Sequence, residues 1–467
     1  MSTATVMQAY RFALDPTFAQ VGVLARNAGA ARFAFNHMLA RIRAIGPQRE
    51  AEESYGITGY GLTPYQGWSL PALRRTWNQV KDQVAPWWPE CSKEAFNTGL
   101  DALARAMKNW ADSRSGKRKG KRVGFPRFKV KARARRTVRF TTGVMRLDPL
   151  DRRHVVLPRL GRIRTHESTR KLARRLEAGT ARIMSVTVAE SGGRWYCAFT
   201  VEIVRQVGRP DQVARAGRIV GVDAGVKHLA VLSTGEMIDN PAPLKTTLRK
   251  LAKAQRRAAR RIGPYDPDTR RRRQASNRWR QAQQQVARVH ARVAAVRAHT
   301  WHELTTRLAQ TFDHVVVEDL HVAGMVRNRR LARAISDAAP ATLCRHLGYK
   351  TGWYGSVLHT ADRWYPSSKT CSDCQTVKPK LSLSERTFTC HACGMSLDRD
   401  INAARNLAAV VAAVDLELPG DVKTGRGACA RPAPPGEAAG REASRPARPV
   451  NAVRQRTTVD HELTKVH

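Results

Sequence analysis

Residues 219–238 read IVGVDAGVKHLAVLSTGEMI, and their pattern sets the fold class. They form an apolar strand, a turn, a second apolar strand, a turn at Thr234-Gly235 and a third strand. Apolar runs this short, bounded by turn residues, favour strands over helices. The first strand ends in Asp223, within Asp-x-Gly. Downstream, helical patterns cover Leu244–Arg261 and Thr269–Leu308, with Gly263-Pro264 and Asp266-Pro267 turning between them. Val286, Val289, Val293 and Val296 keep a 3-4-3 spacing, the seam of a packed helix pair. HVVVEDL (314–320) is a short buried strand ending in acids. A helix over Ala332–Tyr349, a strand over Val357–Trp364, a cysteine-rich stretch and a helix from Asp400 to about Val414 complete a mixed α/β unit.

Upstream, QAYRFAL (8–14) alternates as a strand, Asp15-Pro16 breaks it, and apolar residues from Phe18 to about Arg43 keep helical spacing. Further helices are expected near Leu70–Val84 and Lys93–Trp110. Short β-like runs follow at 137–141, 154–157, 183–190 and 195–202, the last two flanking Ser191-Gly192-Gly193 as a hairpin. The N-terminal half therefore reads as a β-barrel or sheet with a helical insertion after its first strand. Arg205–Arg218 is a polar joint. Residues 417–467 are rich in Pro, Gly, Ala and Arg, cannot offset their ordering entropy, and are expected to be disordered.

The chain has 467 residues, 82 Lys+Arg against 38 Asp+Glu, and a formal charge of +44. Self-repulsion on that scale calls for a polyanion, and nucleic acid is the first expectation. An anionic membrane surface is the rival, but there is no apolar run of about 18 residues and no signal-peptide pattern. An intracellular protein, cytoplasmic or nucleoid-associated, is expected. Arg114–Arg139 holds 13 basic residues and no acidic one, interrupted by Phe125 and Phe128. Its Lys117, Arg118, Lys119, Lys121, Arg122, Arg127 and Lys129 are candidate phosphate contacts. From Lys245 to Arg297 there are 17 Lys+Arg against two acids, and Arg256, Arg257, Arg260 and Arg261 are the corresponding candidates there.

Cys371, Cys374, Cys390 and Cys393 give C-x2-C-x15-C-x2-C. Four thiolates on two turns match a tetrahedral structural zinc with no open position for a substrate; an iron–sulfur cluster or reactive thiols are the alternatives. His391, between the ligands, reads as a surface residue. The other cysteines are scattered. Asp223, Glu318 and the pair Asp398/Asp400 each have a local explanation, as a turn residue, a solvated strand end or a helix cap. Taken together in this frame, hard oxygen ligands can hold two Mg2+ ions about 3.5–4 Å apart for phosphodiester hydrolysis.

GVDAGVKHLAVLSTG, VVVEDLHVAGM, RRLARAISDA, WYPSSKTCSDC, LSLSERTFTC and DRDINAARNL resemble the RuvC-like (RNase H-like) nuclease core and zinc ribbon of the TnpB family. AYRFALDPTFAQ, RFAFNHML and GFPRFK are similar to that family's opening. These are transposon-encoded RNA-guided nucleases, also called OrfB-type transposases and related to compact type V CRISPR effectors. The resemblance covers about residues 8–45 and 124–410. It implies a multidomain α/β chain: a wedge-like β-barrel over 1–45 and 124–217, a helical recognition insertion over 46–123, a nuclease domain over 218–370 and 394–416, and a ribbon over 371–393. It implies Asp223, Glu318 and Asp400 as the Mg2+ ligands, with Mn2+ able to substitute. Asp398 becomes the helix cap, Asp319 the neighbour that could replace Glu318, and Arg386 a candidate for the scissile phosphate. The implied partners are a guide RNA from the element's own end (the ωRNA) and double-stranded target DNA beside a short motif. The alternatives are a compact type V CRISPR effector, a non-cleaving guided regulator, and a guide-independent zinc-ribbon DNA binder. Gln375 departs from the family pattern, which has Gly after the second cysteine, and segment 46–70 has no family counterpart.

Overall fold

The computed structural model describes residues 2–118, 120–207, 218–263, 265–267, 271–272, 276–382 and 384–412. Lys119 and the expected disordered tail 417–467 lie outside the described residues.

The N-terminal lobe opens with β1 (Ser2–Asp15), then α1 (Phe18–Ser54), α2 (Leu70–Val84) and α3 (Lys93–Arg114). β2 (Thr137–Phe140), β3 (Arg146–Leu147), β4 (His154–Leu157), β5 (Gly161–Thr165), α4 (Arg170–Glu177), β6 (Ala181–Ser191) and β7 (Arg194–Val207) follow. The strands form one antiparallel sheet in the order β2-β6-β7-β1-β5-β4-β3. β2 and β3 are its edges, and among the described residues no ladder joins them, so of the β-barrel or sheet expected the hydrogen-bonded order gives the sheet. Gly192 and Gly193, at φ +60° and +77°, form the tight β6–β7 turn, a conformation that a Cβ would strain. α1 begins on a capping box between Thr17 and Gln20 and runs unbroken through residues 45 and 46, expected to be a domain boundary. Its buried stripe, Leu24, Ala28, Ala31, Phe35 and Leu39, continues to Ile45, so packing carries the helix past that point.

The C-terminal lobe contains β8 (Ile219–Asp223), β9 (His228–Leu232), β10 (Met237–Asp239), α5 (Pro243–Arg260), β11 (Tyr265–Asp266), β12 (Arg271–Arg272) and α6 (Asn277–Thr311). β13 (His314–Glu318), α7 (Val322–Met325), α8 (Ala332–Ala338), α9 (Ala341–Tyr354), β14 (Val357–Ala361), β15 (Thr387–Thr389), β16 (Ser396–Asp398) and α10 (Arg399–Ala412) complete it. The main sheet has the order β10-β9-β8-β13-β14. Its first three strands form an antiparallel meander, while β8, β13 and β14 run parallel. The second long helix starts at Asn277, not Thr269, because Ser276 caps it and a small β11–β12 hairpin precedes it. The helix expected over 332–349 is two helices. Pro340 has no N–H to continue the ladder, and Ala339 turns left-handed at φ +52°.

Alternation along the strands divides the core. Val220, Val222, Val315 and Val317 pack against Trp301, Leu304 and Leu308 of α6 and Leu343 and Leu347 of α9. Val316 and Ala361 meet Leu407 and Val411 of α10 on the opposite face. Between the lobes, Arg205 of β7 lies over the rings of Trp353 and Tyr354 at 4.9 and 5.4 Å.

Candidate metal centre and its zinc ribbon

Strand parity brings the first two acids together. In the parallel β8–β13 ladder Val316 lies beside Gly221 and Val317 beside Val222, so Glu318 follows level with Asp223. Both acids share the face that carries Val316, which is the face covered by α10. Gly221 sets how closely that helix sits. A Cβ there would lie 1.9 Å from the Ala404 carbonyl oxygen and 2.7 Å from the Ala408 nitrogen, so only glycine lets α10 lie on the strand. Asp400, in the first turn of α10, is thereby carried to the ends of β8 and β13.

The three carboxylates are half-buried. Burial first, then the negative charges of Glu318 and Asp400, push the Asp223 carboxyl up to about 8, while Arg399 opposes them. Glu318 Oε1 accepts a 2.5 Å hydrogen bond from Ser367 Oγ. Asp400 Oδ1 takes two contacts of 3.3 Å from the Arg399 guanidinium, which also donates to the Glu385 carbonyl of the ribbon at 3.1 Å. Asp398 Oδ1 accepts from the Asp400 and Ile401 backbone N–H groups at 2.9 and 3.3 Å, and so caps α10. Asp319, the rival to Glu318, is ion-paired with Arg363 instead. Arg386 is exposed. Three hard-oxygen acids, one of them raised by burial and then by its acidic neighbours, are a donor set that fits divalent cations such as Mg2+.

The cysteines form a closed cage. Their four sulfurs lie within 4.8 Å of one another, the only such set of three or more His, Cys, Asp or Glu ligands among the described residues. The acidic triad is not drawn so close. Cys371 and Cys393 are 3.6 Å apart at sulfur, and Cys374 and Cys390 3.5 Å. Tetrahedral zinc with bonds of about 2.3 Å needs sulfurs roughly 3.8 Å apart, so the cage fits the ion. The two knuckles repeat one geometry. Gln375 N donates to the Cys371 carbonyl at 3.0 Å and Gly394 N to that of Cys390 at 3.1 Å. Both residues are left-handed, at φ +60° and +76°, so Gln375 occupies a conformation that glycine would adopt without strain.

Two buried asparagines, which the sequence reading did not single out, tie the ribbon to the acids. Asn402 Nδ2 donates to the Thr370 carbonyl at 2.7 Å, and Asn402 Oδ1 accepts from Ser372 N at 2.9 Å. Asn406 Nδ2 donates to the carbonyls of Ser367 and Thr370 at 2.7 and 2.6 Å. Ser367 and Arg399 were missed as well. The available signal was the four-residue spacing of two amides in the helical run NAARNL, which puts both on one face with Ala403 and Leu407 beside them.

The basic candidates divide. Lys117, Arg118, Lys121, Arg122, Arg127, Arg256, Arg257, Arg260 and Arg261 are exposed. Arg257 and Arg261 also bond α6, through Gln285 Oε1 and the Arg278 carbonyl. Lys129 differs: its amine lies 3.9 Å from the Phe35 ring centroid, and burial pulls it down to about 8. Of the two phenylalanines, Phe125 packs edge-on against Trp110, while Phe128 stays exposed with Arg43 4.9 Å above it. Among the described residues no helix is long and apolar enough to cross a membrane.

Three family models match the chain: a "probable transposase" over residues 201–329, a "Cas12f1-like, TNB domain" over 341–407 and a "helix-turn-helix domain" over 1–45. A "putative RNA-guided DNA endonuclease" of Mycobacterium tuberculosis (strain H37Rv) is 42% identical, across 94% of this chain and 93% of that protein. The chain belongs to the TnpB family of OrfB-type transposases. Its Escherichia coli (strain K12) relative, "putative RNA-guided DNA endonuclease InsQ", is 30% identical across 87% of this chain and 93% of that protein. Among solved structures, a Cas12f1–sgRNA–target DNA complex matches 86% of this chain and 99% of that one, at 12% identity and a TM-score of 0.45. Residues 2–45, despite that family description, are one strand and the start of one long helix.

Proposed function

We propose that this chain is an RNA-guided DNA endonuclease of a transposable element, with a RuvC/RNase H-like nuclease domain that hydrolyses target DNA beside a short motif. Its relatives carry that activity in their names. The observation that carries the reading is the shared strand face of Asp223 and Glu318 beneath the helix that bears Asp400. These three acids would hold the two Mg2+ ions, with Mn2+ able to substitute. The bound ions would activate water and stabilise the leaving oxygen of an in-line displacement. Asp398 holds the helix start, Arg399 offsets the crowded negative charge, and the exposed Lys and Arg residues hold the polyanions through their phosphates. The four cysteines would hold structural zinc. An ωRNA from the element's end would select the target by base pairing, so backbone contacts suffice for the protein.

The test mixes the protein, its copurified RNA and a duplex carrying the guide match. The wild type should cut with Mg2+ or Mn2+ and stop with EDTA. Asp223→Ala should bind the same duplex yet lose cleavage by about a hundredfold or more, as a misplaced reactive group does. A wild type that binds but never cuts under any divalent metal or flanking sequence would establish the non-cleaving reading instead.

A further inference from the structure

We propose that Ser367 is a positioning residue for Glu318, and that α10, the helix bearing Asp400, sets Glu318 through it. The inference rests on the metal-site reading above. Ser367 is 4% exposed, and its hydroxyl donates to Glu318 Oε1 at 2.5 Å. Its own position is fixed on both sides: its N–H donates to the Tyr365 carbonyl at 2.8 Å, and its carbonyl accepts from Asn406 Nδ2 at 2.7 Å. Asn406 also holds Thr370, where Asn402 joins it, and both asparagines are fully buried.

A glutamate at a strand end has three rotatable bonds and loses side-chain entropy when fixed, so a partner that holds it in place in advance lowers that cost on metal binding. The serine hydroxyl takes Oε1 and leaves Oε2 for a cation. Ser367 lies four residues before the first zinc ligand, Cys371, and Asn402 and Asn406 lie on the turns after Asp400. One helix therefore presents one acid directly and orients a second through a buried amide, a backbone carbonyl and a hydroxyl. The link between the ribbon segment and the acids is a relay of hydrogen bonds as well as a short sequence separation. Groups that orient a metal ligand typically change metal affinity or activity by about 10–100-fold when removed.

The experiment measures Mn2+ binding to the full chain by electron paramagnetic resonance, alongside the Mn2+ dependence of guided cleavage. Ser367→Ala should weaken Mn2+ binding about 10–100-fold and raise the metal concentration for half-maximal cutting, with zinc content and guided-duplex affinity unchanged. Ser367→Thr keeps the hydroxyl and should bind Mn2+ within about threefold of wild type, short of that range. Asn406→Asp, which replaces the amide donor with an acceptor facing two carbonyls, should weaken Mn2+ binding although Glu318 is untouched. Wild-type Mn2+ binding in Ser367→Ala or in Asn406→Asp would overturn the relay. Equal defects in the Ala and Thr variants, or loss of zinc in Ser367→Ala, would show a packing role and overturn it too. A wild-type chain whose Mn2+ binding follows Ser367 but which never cuts would sink the nuclease reading and leave the positioning role standing.

Discussion

Gly221 does at one residue what the whole site depends on. Its missing side chain lets α10 lie against β8, and a methyl there would meet backbone atoms that cannot rotate away. Gly221→Ala is expected to cost about 3 kcal/mol or more, at the upper end of overpacking losses. It should also displace Asp400 from Asp223, so cleavage should fall further than stability, in a variant still folded at low temperature. Thermal melting and single-turnover cutting check this; a variant that melts and cuts like wild type would show that the helix has room to move. Asp319 makes the converse point. It is an acid beside an acid, yet it lies one residue past the end of β13 and Arg363 occupies it.

At the scale of elements, the four-cysteine segment is joined to the α/β unit at both ends. Its first knuckle hangs from the 367–372 segment that Asn402 and Asn406 grip, and its last strand, β16, runs directly into α10. With zinc in the cage as proposed, Cys390→Ser should lose it, because three thiolates no longer close the shell, and metal binding is folding free energy for such a module. Cleavage should fall with it, since Ser367, which bonds Glu318, and the start of α10, which bears Asp400, both adjoin this junction. Metal analysis and a cleavage assay decide it: wild-type cutting by a zinc-free Cys390→Ser chain would show that the ribbon is separable from the chemistry.

Across the whole molecule, a formal charge of +44 makes binding a matter of counterion release. Log affinity for duplex DNA should fall linearly with log salt, by about 0.9 for each phosphate neutralised. Arg256 lies exposed on α5 and is one such contact in this reading. Arg256→Ala should lower the salt slope by about one, weaken all sequences alike, and leave the cutting rate at saturation unchanged. Titrations at several salt concentrations test it; an unchanged slope would remove Arg256 from the interface.

The sequence by itself determined the apolar strands ending in Asp223 and Glu318, the cysteine spacing, the β6–β7 hairpin and the net charge. These are local patterns, and each has a short-range physical cause: alternation, turn residues, ligand chemistry. Tertiary structure decided which acids share a face, because the β8–β13 register depends on pairing across roughly ninety residues. It decided that α1 crosses an expected boundary, since only packing partners show whether a helix has reason to stop. It placed Lys129, a candidate phosphate contact, over the Phe35 ring. And it revealed Ser367 and the paired asparagines, whose partners lie tens of residues away and whose burial no local pattern reports.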